Sequence, residues 1–527
     1  SALFIAAVAC AMLTSCAAGA DRAESGQVFS NPIIPGFAPD PSIVRVGDDF
    51  YLVNSTFEYF PGIPIYHSRD LVDWELIGHA IHDPQQADLA RIKSSDGIHA
   101  STIRYHDGLF YVITTNNVDG NMVNFIVTAT DPAGPWSMPY VLDDAPGIDP
   151  SLFFDDDGRV WYTGNHIPPD PDFPGQAEIW LQELDLDTMQ LTGERHYLWR
   201  GCCQGVWAEG PHIYKRDGYY YLMISEGGTS FEHAMSIAIS RDITGPYENN
   251  PRNPVLTHRH LSYDYPISGV GHADLVELDD GRWYAVALGW RLVDGRHGIL
   301  GRETFLVPVT WETEPHAWKE EPLTFPVFSP TTGKVELHYP TPFGNEARQA
   351  TYAFRDDFDN PALGAEWNFR RAPETGFVGF DQGSLALALQ PGSIRERAQY
   401  SFIGIRQRHF EFAAETRMRL KTAEGEAGIA LIQNDRSALL FTLNADGALR
   451  LIHHRDGQVD ELATADWSNA DVYLKVVGDY LDLGFYYSAD GKKWQTLAES
   501  VDGSVLSPAK IGGYNYTGIN VGLYGSG

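Results

Sequence analysis

The chain has 527 residues, too many for one ordinary hydrophobic core, so two large domains are expected. Aromatic residues make up 12% and glycine contributes 51 residues, a composition that suits a β protein with many turns. The formal net charge of −32 argues against a basic face for nucleic acid or anionic lipid and suits a soluble protein acting on a neutral ligand.

The first element is the apolar run LFIAAVACAMLTSCAAGA. It is short and ends in small residues, so it reads as a signal peptide whose start lies upstream of Ser1, not as a membrane span. Leu13-Thr14-Ser15-Cys16 resembles a bacterial lipoprotein box, in which Cys16 follows the cleavage point and carries the lipid. The alternative is an ordinary secretory signal cut after Ala17 to Ala20. On the first reading, residues 1–16 are the signal, 17–27 are a polar tether, and the protein is lipid-anchored in a bacterial cell envelope, in the periplasm or at the cell surface.

The stretch GFAPDPSIVRVGDDFYLV follows, with Asp40 set between two prolines ahead of a hairpin. The pattern recurs in DPSIVRVGDDFYLV from Asp40, ASTIRYHDGLFYVI from Ala100, DPSLFFDDDGRVWYTG from Asp149, EGPHIYKRDGYYYLMI from Glu209 and HADLVELDDGRWYAVA from His272. Each copy has a special residue, a short apolar strand, an Asp/Gly turn and an aromatic strand containing a tyrosine. The tyrosines Tyr51, Tyr111, Tyr162, Tyr221 and Tyr284 lie 60, 51, 59 and 63 residues apart. Outer elements follow three copies, in 67–75, 128–137 and 239–248, each ending in a turn with an aromatic. Repeats of about four strands at this period are propeller blades. Five copies predict a five-bladed β-propeller over 28–328. The special residue precedes the innermost strand of every blade, so Asp40, Ala100 (with His99 before it), Asp149, Glu209 and His272 are expected to converge at one end of the channel.

Cys202 and Cys203 are the two cysteines outside the signal. Being adjacent, they cannot join distant segments; the choice is between two thiols and a strained vicinal disulfide, and the strain favours thiols. The segment 329–350 is rich in Pro, Gly and Thr and reads as a linker. Beyond it, 351–527 predicts a β-sandwich from alternating strands at 383–390, 408–420, 427–433, 437–443, 448–454, 472–478 and 480–488. The fold class is therefore all-β, a propeller followed by a sandwich.

Three carboxylates converging in a cleft point to acid/base chemistry on a glycosidic bond: a protonated one supplies the leaving oxygen, an ionised one activates water, and a third raises its neighbour's pKa. At these residues the sequence resembles glycoside hydrolase family 43, the β-xylosidase and α-L-arabinofuranosidase group. The motifs are NPIIPGFAPDPS (31–42), STFEYFPGIPIYHSRDLVDW (55–74), GIDPSLF (147–153), WAEGPHIY (207–214), GHADL (271–275) and LGRET (300–304). The resemblance implies an inverting exo-hydrolase that releases terminal xylose or arabinofuranose from hemicellulose oligosaccharides. It implies Asp40 as general base, Glu209 as general acid and Asp149 as the carboxylate that tunes the acid. Arg302 would hold substrate hydroxyls and Phe57 would wall the pocket. His272 would lie beneath the sugar, where some relatives face a hydrated calcium ion; no cofactor is required by this reading, and Ca2+ stays open as a structural or activating ion. The resemblance also leads us to expect one more strand after GLYGSG.

Two positions depart from the pattern. His99-Ala100-Ser101 replaces the Trp-Ala-Pro of many relatives, so His99 stands in for a sugar-stacking wall. Asn520 stands where several xylosidases bring an aromatic from the sandwich over the pocket mouth. The competing reading from another class is a non-catalytic glycan-binding surface lipoprotein, which would have no need for an acid on each of three blades.

Overall fold

Each of the five repeated segments folds into an antiparallel blade, because each alternates short β-branched and aromatic runs with turns that reverse the chain. A computed structural model describes residues 27–315, 321–347, 352–381, 383–394, 396–397 and 399–527. Residues 1–26, with Cys16, lie outside the described residues.

The innermost strands are Ser42–Val46, Gly97–His106, Ser151–Phe154, Glu209–Arg216 and Ile267–Glu277, and they neighbour one another in that order around a closed ring. Each pairs with the aromatic strand of its hairpin, and two further strands complete the blade outward, three in the fourth blade. The turn glycines Gly47, Gly108, Gly158, Gly218 and Gly281 all have φ between 62° and 87°, the left-handed region that tight hairpins demand. The segments 67–75, 128–137 and 239–248 prove to be the ends of third strands with the turns that follow. In each, the aromatic hydrogen-bonds back across the turn: Trp74 to Leu71 O (3.0 Å), Trp136 to Pro132 O (3.1 Å) and Tyr247 to Ile243 O (3.0 Å).

The ring is closed by the N-terminal run lying along the fifth blade. Val28–Ser30 pairs with His338–Pro340, Ile34 bridges Thr304, and the Ala38 N–H donates to Arg302 O (2.9 Å). The Asn31 side chain is buried; it donates to Leu306 O (2.9 Å) and Glu336 O (3.0 Å) and accepts the Leu306 N–H (2.9 Å). The described part of 329–350 is held against the propeller. Ser329 N–H donates to Pro308 O (2.8 Å), Val335 is buried, and the Tyr265 hydroxyl donates to Val335 O (2.8 Å).

The second domain stacks an eight-stranded sheet on the four strands Glu411–Met418, Val472–Asp479, Asp482–Ser488 and Gln495–Asp502. Leu439, Phe441, Leu451, Leu474, Val476 and Phe485 fill the space between them. The strand Asn520–Ser526 lies inside the larger sheet, between Glu426–Asn434 and Ser401–Arg406. The sheet's outermost strand comes from the propeller: Tyr59–Phe60 pairs with Asn368–Arg370. The two domains are therefore joined by a shared sheet as well as by the connecting chain.

Replacing Asn31 with alanine leaves three buried backbone groups without that partner. We expect a loss of about 2–3 kcal/mol in unfolding free energy, read as a lower urea midpoint at unchanged slope.

Candidate active site

The residues expected to converge on the channel share an unusual backbone, although the fifth innermost strand begins at Ile267, five residues before His272. Asp40 (φ 50°), Asp149 (56°) and His272 (46°) are left-handed, and on the fourth blade Gly210 (58°) takes that conformation directly after Glu209. A non-glycine residue pays for this conformation, and such strain gathers at functional sites. In the second, fourth and fifth blades the innermost pairing also slips register around Ala100, Glu209 and His272, bulges that re-aim the side chains there.

Asp40 is buried and fully engaged. Arg302 Nη1 donates to its Oδ1 at 3.0 Å, the Ser55 hydroxyl donates to its Oδ2, and His272 Nδ1 lies 3.6 Å from Oδ1. Burial alone would raise its pKa, but Arg302, His272, Ser55 and His99 together hold it below the ordinary aspartate value. Glu209 goes the other way: burial and then the Asp40 charge push it up to about 7, against the pull of Arg302. Asp149 is held well above its ordinary value by burial, Glu209 and Asp40. Near neutrality the cluster thus contains an ionised carboxylate and a protonated one, the division of labour that glycosidic cleavage needs.

The walls are aromatic. Phe57 lies 5.2 Å from His99 and 5.3 Å from Tyr516, ring to ring, and the Arg302 guanidinium stands 5.5 Å from the Phe57 ring and 5.3 Å from that of Tyr516. Arg302 also donates to Thr229 Oγ1 (2.9 Å). His99 is fixed through Nδ1 to Gly97 O (3.0 Å). Ala100 is buried, and its carbonyl accepts from Thr114 (3.4 Å), so His99 is the side chain that this blade presents toward Asp40.

Asn520 is corrected. It is fully buried in its strand, opposite Arg406 and Ile432, and its amide turns back to Gly518 O (3.3 Å). The aromatic at the mouth is Tyr516, four residues earlier, because the turn Gly512-Gly513-Tyr514-Asn515-Tyr516 leaves the sandwich toward the propeller. The pairing of aromatic residues with glycines there was the available signal. Ser55 and Thr229 were also missed; Ser55 stood inside a quoted motif, whereas nothing in the local sequence marks Thr229.

The carboxylate nearest in sequence to His272 is not free to ligate a cation directly. Asp274, two residues on, has both oxygens engaged by Arg104 (2.8 and 3.2 Å), Ser42 (2.7 Å) and Tyr214 (2.7 Å), so a guanidinium already neutralises it. The described residues hold no cluster of three or more His, Cys, Asp or Glu placed for a metal, so an ion beside His272 would take its oxygen ligands from water.

This geometry coincides with sequence relationships over the whole molecule. The profile for glycosyl hydrolases family 43 matches residues 29–315. The chain belongs to glycosyl hydrolase family 43. Residues 355–527 of this family 43 protein match the β-xylosidase C-terminal concanavalin A-like domain. It is 42% identical to a xylosidase/arabinosidase of Butyrivibrio fibrisolvens, over 95% of this chain and 96% of that one. It is 38% identical to a non-reducing end α-L-arabinofuranosidase of Bacteroides ovatus, over 95% and 92%. A family 43 structure from a capybara gut metagenome superposes with a TM-score of 0.86 at 33% identity, covering 96% of each chain. The protein is a glycosidase, and the non-catalytic reading falls.

Just ahead of Glu209, Cys202 and Cys203 are separate thiols with sulfurs 2.8 Å apart. Cys202 is buried and its pKa is pushed up to about 12, by burial first, whereas Cys203 is exposed. We expect iodoacetamide at pH 8 to add one label to the native protein, at Cys203, and a second only after denaturation without reductant. Absence of both labels until reductant is added would show a disulfide instead.

Proposed function

We propose that this family 43 enzyme is an exo-acting, inverting glycosidase that releases terminal β-D-xylose or α-L-arabinofuranose from hemicellulose-derived oligosaccharides. The carrying observation is the split within one buried cluster, Asp40 held low and Glu209 held near 7. The names of the relatives supply the pentose. In the reaction, Asp40 takes a proton from water as its oxygen bonds the anomeric carbon. Glu209 gives its proton to the departing glycosidic oxygen. Burial and the Asp40 charge keep Glu209 protonated beforehand, and Arg302 orients both Asp40 and the sugar hydroxyls. Dialysis against EDTA followed by Ca2+ addition tests whether a hydrated ion beside His272 takes part, read as a fall and recovery of kcat/KM. We further propose a cell-envelope location through a lipid on Cys16, for which the apolar run and its LTSC box are the support; loss of fatty-acid labelling in Cys16→Ala tests it.

Turnover of the nitrophenyl β-D-xylopyranoside and α-L-arabinofuranoside tests the substrate class, and proton NMR of the first-formed anomer tests inversion. No hydrolysis of either pentoside would overturn the proposal.

Glu209→Gln should lose about 100-fold or more on oligosaccharides, yet keep much of its rate on nitrophenyl glycosides, whose leaving group needs little protonation. Asp40→Asn should be inactive on both. Equal losses on both substrates for Glu209→Gln would remove it from the acid role.

The same shifts set the pH profile. Activity needs Asp40 ionised and Glu209 protonated, so kcat/KM should fall on the alkaline side around pH 7 and hold on the acid side to below the ordinary aspartate range. Arg302→Gln removes the main cation beside Asp40 and should move the acid limb upward; an unmoved limb would mean that Asp40 does not set it.

A further inference from the structure

We infer that Glu58 and Ser95 are positioning residues of the active site: Glu58 fixes Ser95, Ser95 fixes the backbone of Tyr516, and Tyr516 thereby closes the sugar pocket. This rests on the reading of Phe57, Arg302 and Tyr516 as pocket walls.

The connection begins with two consecutive residues. Phe57 faces the pocket, and Glu58 turns the opposite way, into the boundary between the domains, where its side chain is fully buried. One carboxylate oxygen pairs with Arg370 Nη2 (3.2 Å). The other accepts the backbone N–H of Ser95 (2.9 Å). The Ser95 hydroxyl in turn accepts the backbone N–H of Tyr516 (3.0 Å). Ser95 sits at φ 66°, so it and Ser94 can serve different partners. Ser94 belongs to the ion cluster: its hydroxyl donates to Asp435 (2.7 Å) and accepts from Arg370 (2.7 Å). Asp435 also binds both Arg370 (2.5 Å) and Arg371 (2.8 Å).

Two guanidinium groups and two carboxylates are thus balanced in a boundary where all but Asp435, which is partly exposed, are buried. Such a cluster rarely adds net stability over apolar packing, and its best-attested use is to set register. Here the register that it sets is that of Tyr516. A second contact acts on the same turn from the other side. Ile519 N–H donates to Ile299 O (3.1 Å), and a Cβ on Gly301 would lie 2.9 Å from the nitrogen of Gly518. The segment entering Arg302 and the segment leaving Tyr516 are therefore packed backbone against backbone, so a small shift of the sandwich would be felt at the guanidinium and the ring together.

The test is a kinetic double-mutant cycle on the full chain, using whichever nitrophenyl pentoside is turned over. Ser95→Ala keeps the backbone bond to Glu58 and removes only the hydroxyl that holds Tyr516. We expect KM to rise about tenfold, equivalent to about 1.4 kcal/mol, with kcat changed less than about threefold. Tyr516→Ala should raise KM at least as far, and the double variant should match Tyr516→Ala alone, because Ser95 acts only through that residue. Glu58→Ala should behave like Ser95→Ala, and Glu58→Gln, which keeps an acceptor for Ser95, should recover most of the lost KM. If Glu58→Ala does not fold, the Ser95 cycle decides. Multiplying effects in the double variant would make Ser95 a general structural residue and overturn the inference. An unchanged KM in Ser95→Ala beside a raised KM in Tyr516→Ala would also overturn it while leaving the pocket reading intact. An unchanged KM in Tyr516→Ala would overturn both.

Discussion

The contact between Asp40 and Arg302 is the constraint on which the rest of the molecule turns. Asp40 opens the first blade and Arg302 opens the third strand of the fifth, so this buried pair spans the seam at which the ring closes. The backbone runs alongside it, with Ala38 bonded to Arg302 O. Closure of the fold and electrostatics of the site are therefore one arrangement. The guanidinium helps keep Asp40 ionised although it is buried, and the resulting negative charge contributes to keeping Glu209 protonated. Without the seam Asp40 would lose the largest of the charges that set it apart from the other two buried carboxylates.

That asymmetry explains the otherwise costly backbone at the strand entrances. A strand alternates its side chains, and a regular entry would leave the choice of direction to register alone. Left-handed residues at Asp40, Asp149 and His272, and bulges in the second, fourth and fifth blades, turn these side chains to the channel mouth whatever the strand does afterward. The proline after Asp40, Asp149 and Gly210 stiffens the return to extended chain.

The sandwich is more than a support. The propeller contributes the strand Tyr59–Phe60 to its larger sheet, and in return the sandwich delivers Tyr516 to the pocket. Phe57 lies two residues before the exchanged strand, with only Glu58 between them, so its ring is tied closely to the boundary between domains. A family whose members share the two-domain arrangement over nearly their full length is consistent with a site that needs both.

The sequence by itself determined the blade count, the two-domain order and the three carboxylates, because those rest on local periodicity: a turn glycine, an alternating strand and an acid at a constant offset are all encoded within about 15 residues. His99, Phe57, Arg302 and His272 were legible for the same reason, each lying beside a repeated strand or within a long motif. Only the tertiary structure decided the rest. The resemblance points to Asn520 at the pocket mouth, but strand pairing buries it, and the neighbouring turn brings Tyr516 against Phe57 instead. The bonds from Thr229 to Arg302, from Ser95 to Tyr516 and from Glu58 to Arg370 join residues 73, 421 and 312 positions apart. No local pattern records such partners, since a single hydroxyl or carboxylate acquires its meaning from what the closed ring and the docked sandwich place against it. The opposed pKa shifts of Asp40 and Glu209 belong to the same class, being set by burial and by charges brought from other blades.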